Sequence, residues 1–236
     1  MSRSQNEGVG LVPGASSCRE IDLFLDAAAK LPAPSCGKGG RLIFALDATM
    51  SRQPTWDLAQ GLQCKMFETA SKLGGLSVQL VYFRGFAECR ASHFVAGGQG
   101  LAELMSKISV RAGHTQIAKV LRHTREEARR TPVRVLVYVG DAMEEGPDDL
   151  AALAGELGLL GVKAFVFQEG DDRAARQVFR EIARLTGGAY ASFDRSAPER
   201  LAALLSAAAA YAAGGRSALE LEARNPAARH LLSQMG

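Results

Sequence analysis

Three oxygen-bearing side chains stand at alternate positions in Asp47-Ala48-Thr49-Met50-Ser51, directly after the unbroken apolar run Leu42–Leu46. One carboxylate and two hydroxyls form a hard-oxygen set, suited to Mg²⁺ or Mn²⁺ rather than to Zn²⁺. Two further donors have comparable placements. Thr115 follows the loop Arg111-Ala112-Gly113-His114, and Asp141 follows the strand-like stretch Val133–Val139 and Gly140. Each has an ordinary reading too: Asp47 or Thr49 as a helix cap, Thr115 as a cap, Asp141 as a turn residue, Ser51 as a solvated hydroxyl. Those readings explain the residues singly and leave the joint pattern unexplained.

The elements that must carry these residues follow from hydrophobic pattern. Apolar runs at 41–47 and 133–139 read as strands buried on both faces of a parallel sheet. Further strands are expected at 76–83, 88–95, 162–167 and 189–193, with helices at 55–73, 101–108, 115–130, 148–158, 173–185 and 198–213. Only four residues separate the strands at 76–83 and 88–95, so they should form an antiparallel hairpin at one sheet edge, with 189–193 at the other. The class is α/β: a Rossmann-like, doubly wound, mainly parallel central sheet with one antiparallel edge strand and helices on both faces. In such sheets ligands bind outside the carboxyl ends of the strands, where Asp47, Thr115 and Asp141 converge.

Flanking segments divide the chain into 1–40, 41–214 and 215–236. The first is a tail without periodicity, followed by a short docking helix with Ile21, Phe24, Leu25 and Ala28 at helical spacing and a Pro/Gly linker. Gly37-Lys38 lacks the earlier glycine of a phosphate-binding loop. In the last segment Asn225 and Pro226 introduce Ala228, Leu231, Leu232 and Met235 at helical spacing, a helix that either covers the domain or docks on another chain.

Composition sets the class limits. The 236 residues are 47% hydrophobic and 22% charged, with 28 basic and 25 acidic side chains giving a net charge of +3, too mild to argue for nucleic acid or an anionic membrane. No apolar run approaches the ~20 residues of a membrane span. The polar start MSRSQNEGVG does not resemble a signal peptide. Four cysteines without C-x-x-C spacing read as free thiols, and together these features place the chain in the cytoplasm.

The set Asp47-Ala48-Thr49-Met50-Ser51, Gly113-His114-Thr115 and Gly140-Asp141 resembles the metal-ion-dependent adhesion site (MIDAS) of the von Willebrand factor type A (VWA) domain, in its bacterial intracellular form. That family's signature is Asp-x-Ser-x-Ser, a lone threonine in a middle loop, and an aspartate after the fourth strand. Thr49 replaces a serine and keeps the hydroxyl. Ala142 stands where glycine is common, and Glu144 and Glu145 add acids to that loop, so either Asp141 or a neighbouring glutamate faces the ion. The resemblance covers about residues 40–214. It implies a protein–protein interaction module that holds a divalent cation (Mg²⁺ or Mn²⁺) through Asp47, Thr49, Ser51, Thr115 and Asp141 and captures an Asp or Glu of a partner. The positive helix end at Thr115 would favour that anion. Arg52, His114 and Glu144 are candidate partner contacts, as is Trp56, which serves equally well as core. The family setting implies a chaperone-like ATPase or assembly complex as partner, with no nucleic acid and no membrane.

Two other classes compete. A haloacid-dehalogenase-like Mg²⁺ phosphatase also places an aspartate after its first strand, but needs a second aspartate where this chain has Thr49. The nucleophile elbow and the dinucleotide fingerprint are absent, and His93, His114, His123 and His230 have no evident Ser or Cys partner. The last alternative is a structural domain that holds no metal.

Overall fold

The computed structural model of the chain describes residues 18–30, 40–52, 76–96, 98–194 and 196–235. The expected helix at 55–73 with Trp56, most of the 31–40 linker, and residues 1–17 lie outside them. In chain order the described elements are α1 (Cys18–Lys30), β1 (Gly40–Asp47), a 3₁₀ turn (Met50–Arg52), β2 (Leu76–Arg84), β3 (Glu88–Ala91), β4 (Val95–Ala96), α2 (Gly98–Ser106) and α3 (Ile117–Arg130). Then follow β5 (Val135–Gly140), α4 (Pro147–Leu159), β6 (Lys163–Glu169), α5 (Arg173–Thr186), β7 (Ala189–Phe193), α6 (Pro198–Leu221) and α7 (Pro226–Leu232).

The sheet runs β3-β2-β1-β5-β6-β7, with β4 also paired to β2. Pairings among β2, β1, β5, β6 and β7 are parallel, while β3 and β4 run antiparallel to β2. The two apolar runs are therefore adjacent, parallel and central, as the sequence predicts. Alternation along them divides the core. Leu42, Phe44, Leu46, Val135, Val137 and Val139 face a layer built on α1, α2, α6 and α7. Ile43, Ala45, Leu136 and Tyr138 face α3, α4 and α5 on the other side. Strands of this kind need apolar side chains on both faces, which is why they read as continuous rather than alternating runs.

The antiparallel edge comes in two pieces. Ser92 leaves the ladder because its hydroxyl accepts the Leu80 N–H at 3.0 Å while its own N–H donates to the Leu80 carbonyl at 2.8 Å. The side chain thus stands in for a backbone acceptor, and the single strand expected over 88–95 is interrupted at 92–94.

Helix α6 can lie close to the sheet because its inner face is alanine: Ala207, Ala208, Ala209 and Ala212 are fully buried. A side chain at Gly40 would meet the Ala212 carbonyl at 1.7 Å, so the start of β1 must be glycine. The helix continues past the expected end near Ala213, across a break at Gly215 (φ 72°, ψ −158°). Arg134 Nη1 donates to the Ala212 and Ala213 carbonyls just before that break, at 2.8 and 3.0 Å. Beyond it, Leu219, Ala228, Leu231 and Met235 join the α6 side of the core, so the C-terminal segment is packed as one piece with the sheet.

Helix α1 docks through Phe24 and Ala27, with Phe24 edge-on to Tyr82 at 5.1 Å. Leu25, expected on the buried stripe, is 45% exposed. The stripe is instead fixed by Glu20, which pairs with Arg111 and approaches the buried Arg84 at 3.9 Å.

Candidate metal centre

Three loops meet at the carboxyl edge of β1, β2 and β5. The turn after β1 carries Asp47 and Thr49, which are buried, and Ser51, which is exposed. Asp47 Oδ1 accepts the Thr49 N–H at 2.8 Å, folding the chain back over the strand end, and the Thr49 and Ser51 hydroxyls lie 3.1 Å apart. The sequence spacing of two therefore places both hydroxyls on one side of the turn.

The loop before α3 is fastened to this turn. Thr49 forms a parallel bridge with Arg111, whose N–H donates to the Ala48 carbonyl at 3.0 Å. His114 N–H donates to the Gly85 carbonyl at 3.2 Å. A Cβ at Gly113 would come within 2.1 Å of that same carbonyl, so only glycine allows the two loops to touch. Thr115 is buried at the end of this segment.

The loop after β5 closes the third side. Its Glu144 accepts the Thr115 N–H at 3.0 Å and faces His114 Nδ1 at 3.0 Å, while Glu144 N–H donates to Thr115 Oγ1 at 3.0 Å. Glu145 accepts the N–H groups of Ile117 and of Ala118, the latter at 2.8 Å. Asp141, half-buried, has an oxygen, Oδ1, that is enclosed and without a hydrogen-bond partner among the described residues.

Two sequence expectations change here. Thr115 does not open α3: the helix begins at Ile117 after Gln116, which makes no side-chain cap, and Glu145 caps it from 28 residues away. The positive end of α3 is thus occupied by the chain's own carboxylate and is not open to an incoming anion. The acids Glu144 and Glu145, weighed as ion-facing alternatives to Asp141, are both engaged with backbone N–H groups at 115–118. Sequence offered no signal for this remote cap, because Thr115 supplied an apparent cap two residues before the helix begins. Glu20 and Arg111, which tie α1 to the loop that bridges Thr49, left no pattern in the sequence.

Of the candidate partner contacts, His114 is exposed and edge-on to the exposed Phe86 at 5.2 Å. Glu144 is half-exposed. The Arg52 side chain and all of Trp56 lie outside the described residues. Among the described residues no group of three or more His, Cys, Asp or Glu could hold a metal ion. A centre here would depend on hydroxyls, and two carboxylates with three hydroxyls match a hard divalent cation in donor chemistry.

No family model matches the sequence, and no curated protein matches it. Solved structures do match its fold. An aerotolerance-related membrane protein from Bacteroides fragilis superposes with a TM-score of 0.53 at 20% identity, over 68% of this chain and 96% of that one. The SpRpn10 VWA domain gives 0.55 at 10% identity, over 69% and 95%. Proximal thread matrix protein 1 from the mussel byssus, in a structure with a zinc-occupied MIDAS motif, gives 0.55 at 15% identity, over 71% of this chain and 46% of that one. Identities this low speak for the fold alone. That fold is the von Willebrand factor type A domain.

Proposed function

We propose that the chain is a metal-dependent protein–protein interaction module in which Asp47, Thr49, Ser51, Thr115 and Asp141 hold one divalent cation, Mg²⁺ or Mn²⁺. The observation that carries this reading is Asp141 Oδ1, an enclosed carboxylate oxygen lacking a hydrogen-bond partner among the described residues. An enclosed carboxylate oxygen is costly unless compensated, and Asp141 directly follows β5, the strand paired with the one that ends in Asp47. The matched mussel structure with zinc at its MIDAS motif supports the same use of this fold.

A cation held mainly by neutral hydroxyls keeps residual positive charge and supplies a coordination position for an incoming carboxylate. The chain's residues perform the other tasks. Asp47 fixes the β1 turn through the Thr49 N–H, Glu144 sets the rotamer of Thr115, and Glu145 holds the start of α3. The occupant of the open position is an Asp or Glu side chain of a protein partner, with an ATPase-containing assembly complex as the setting and the cytoplasm as the compartment. Among the described residues no helix is long and apolar enough to cross a membrane. The reading is one of capture rather than turnover: Thr49, bonded through its hydroxyl to Ser51, stands where a phosphatase would need an acid.

The test is calorimetric titration of Mg²⁺ and Mn²⁺ into the wild-type chain and into Asp47→Ala/Thr115→Ala and Asp141→Asn variants. Wild type should bind with a Kd up to about millimolar and the folded variants should not. No binding by wild type at about 10 mM would leave a metal-free structural domain, and equal binding by Asp141→Asn would overturn the ligand set proposed here.

A further inference from the structure

The opposite edge of the sheet carries a second, chemically different feature. Between α5, α6, α7 and the outer edge of β7 lies a cleft of about 540 Å³, within the range of small-molecule sites. Arg180, Arg184, Arg200 and His230 line it, with Ser192 and Tyr190 on its strand side, and among the described residues no carboxylate is part of its lining. Arg184 is engaged by Glu181 through bonds of 2.8 and 2.6 Å. Arg180 and Arg200 have no carboxylate partner among the described residues. Arg180 is held over the Tyr190 ring, 5.2 Å from its centroid, so its position is set by an aromatic contact that leaves the guanidinium edge available.

The strand edge adds donors. Gln234 brackets Tyr190 as a neighbouring strand would, accepting its N–H at 3.0 Å and donating to its carbonyl at 2.8 Å, and His230 Nε2 lies 3.1 Å from the same carbonyl. Residues two apart on a strand share a side, so the Ser192 backbone N–H also points away from β6, toward the cleft. Because Gln234 and His230 already occupy the Tyr190 position, an extended peptide cannot pair along this edge. A compact ligand can still reach Ser192. A second cleft of about 370 Å³ shares Arg200 and His230 and is lined on its far side by Ala203, Leu204, Pro226 and Ala227, with Glu199 at its rim.

We propose that this paired cleft binds a small organic phosphate monoester. Guanidinium forks from two helices, with the Ser192 hydroxyl and N–H, surround one volume from several directions. A tetrahedral group with three acceptor oxygens can meet donors arriving from several directions, whereas a carboxylate presents its acceptors in one plane. The phosphate sits against Arg180, Arg200 and Ser192, and an apolar body extends past Arg200 over Leu204 and Pro226.

The probe is phenyl phosphate, titrated calorimetrically at constant ionic strength into the full chain with EDTA present, which keeps the result independent of the metal centre. Inorganic phosphate, benzoate and phenol serve as partial probes. Phenyl phosphate should bind with a submillimolar Kd, at least about tenfold tighter than any partial probe. Arg180→Ala/Arg200→Ala should weaken it at least about tenfold, while Arg129→Ala, an exposed arginine on α3, should leave it unchanged. All three arginines are exposed, and thermal unfolding checks that the variants fold. Absence of binding at about 10 mM, equal affinity for inorganic phosphate or benzoate, or equal loss in Arg129→Ala would overturn the proposal.

Discussion

Asp141 and Glu145 share one loop, and their carboxylates are used in opposite ways. Glu145 takes two N–H groups at the start of α3, a role ordinarily filled by a residue beside the helix. Replacing it by Gln weakens that cap, and chemical denaturation should show a loss of about 1 kcal/mol. Asp141→Asn should leave metal-free stability within about 0.5 kcal/mol of wild type, since Oδ1 has no hydrogen bond to lose among the described residues. The variant should instead lose the stabilisation that Mg²⁺ confers on wild type, about 2.7 kcal/mol at a hundredfold excess over Kd. Cys89 offers a separate residue-scale check. Burial pushes its thiol up to about 11, so alkylation at pH 8 should be slow in the folded chain and fast after unfolding. The five proposed ligands stood out in the sequence because oxygen-bearing side chains follow two apolar runs and a glycine loop, and in the fold Asp47 ends β1 while Asp141 follows β5. Glu145 as a helix cap did not, because its two partners lie 28 and 27 residues earlier in the chain, joined to it only in three dimensions.

At the scale of elements, contacts between loops matter more than the loops themselves. Gly113 touches Gly85 so closely that Gly113→Ala should cost about 1–3 kcal/mol and weaken Mg²⁺ binding together with stability, read by denaturation with and without the ion. Helix α3 is tied to β2 by His123, whose Nε2 lies 2.9 Å from Gln79 Oε1. Burial holds the His123 imidazole below its ordinary value of 6.5, with Glu127 opposing and Arg130 adding to the shift. The unfolded chain therefore binds a proton at a higher pH than the folded one. Stability from this group is fully present above 6.5 and is lost as pH falls below it toward the depressed folded value. His123→Gln should flatten that part of the stability–pH curve while leaving the midpoint at pH 8 little changed. The parallel order of β1 and β5 was readable because burial on both faces leaves an unbroken apolar run. The break in the edge strand at Ser92 was not, because one hydroxyl replaces a ladder acceptor without disturbing the alternating pattern.

The whole molecule is a sheet with two covered faces and two unlike edges. One edge ends in the short β3 and β4; the other, β7, is covered by α7 and Gln234. Exposed sheet edges invite pairing with other chains, so the cover is a protection. Removing residues 224–236 would strip Ala228, Leu231 and Met235 from the core and bare Tyr190, and light scattering should report larger species than for the full chain at equal concentration. The helical spacing from Ala228 to Met235 was visible in the sequence. Its destination was not, because an amphipathic face does not state which surface it covers.

The Gln234 bracket on Tyr190 also sets an order in time. Strand β7 is made about forty residues before its cover, so at roughly 5–20 residues per second its synthesis precedes that of its cover by an interval on the order of seconds. During that interval the bare edge is open to any extended segment nearby, including the same segment of a chain emerging from an adjacent ribosome. Slowing translation across 194–234 should therefore raise the aggregated fraction, and speeding it should lower it.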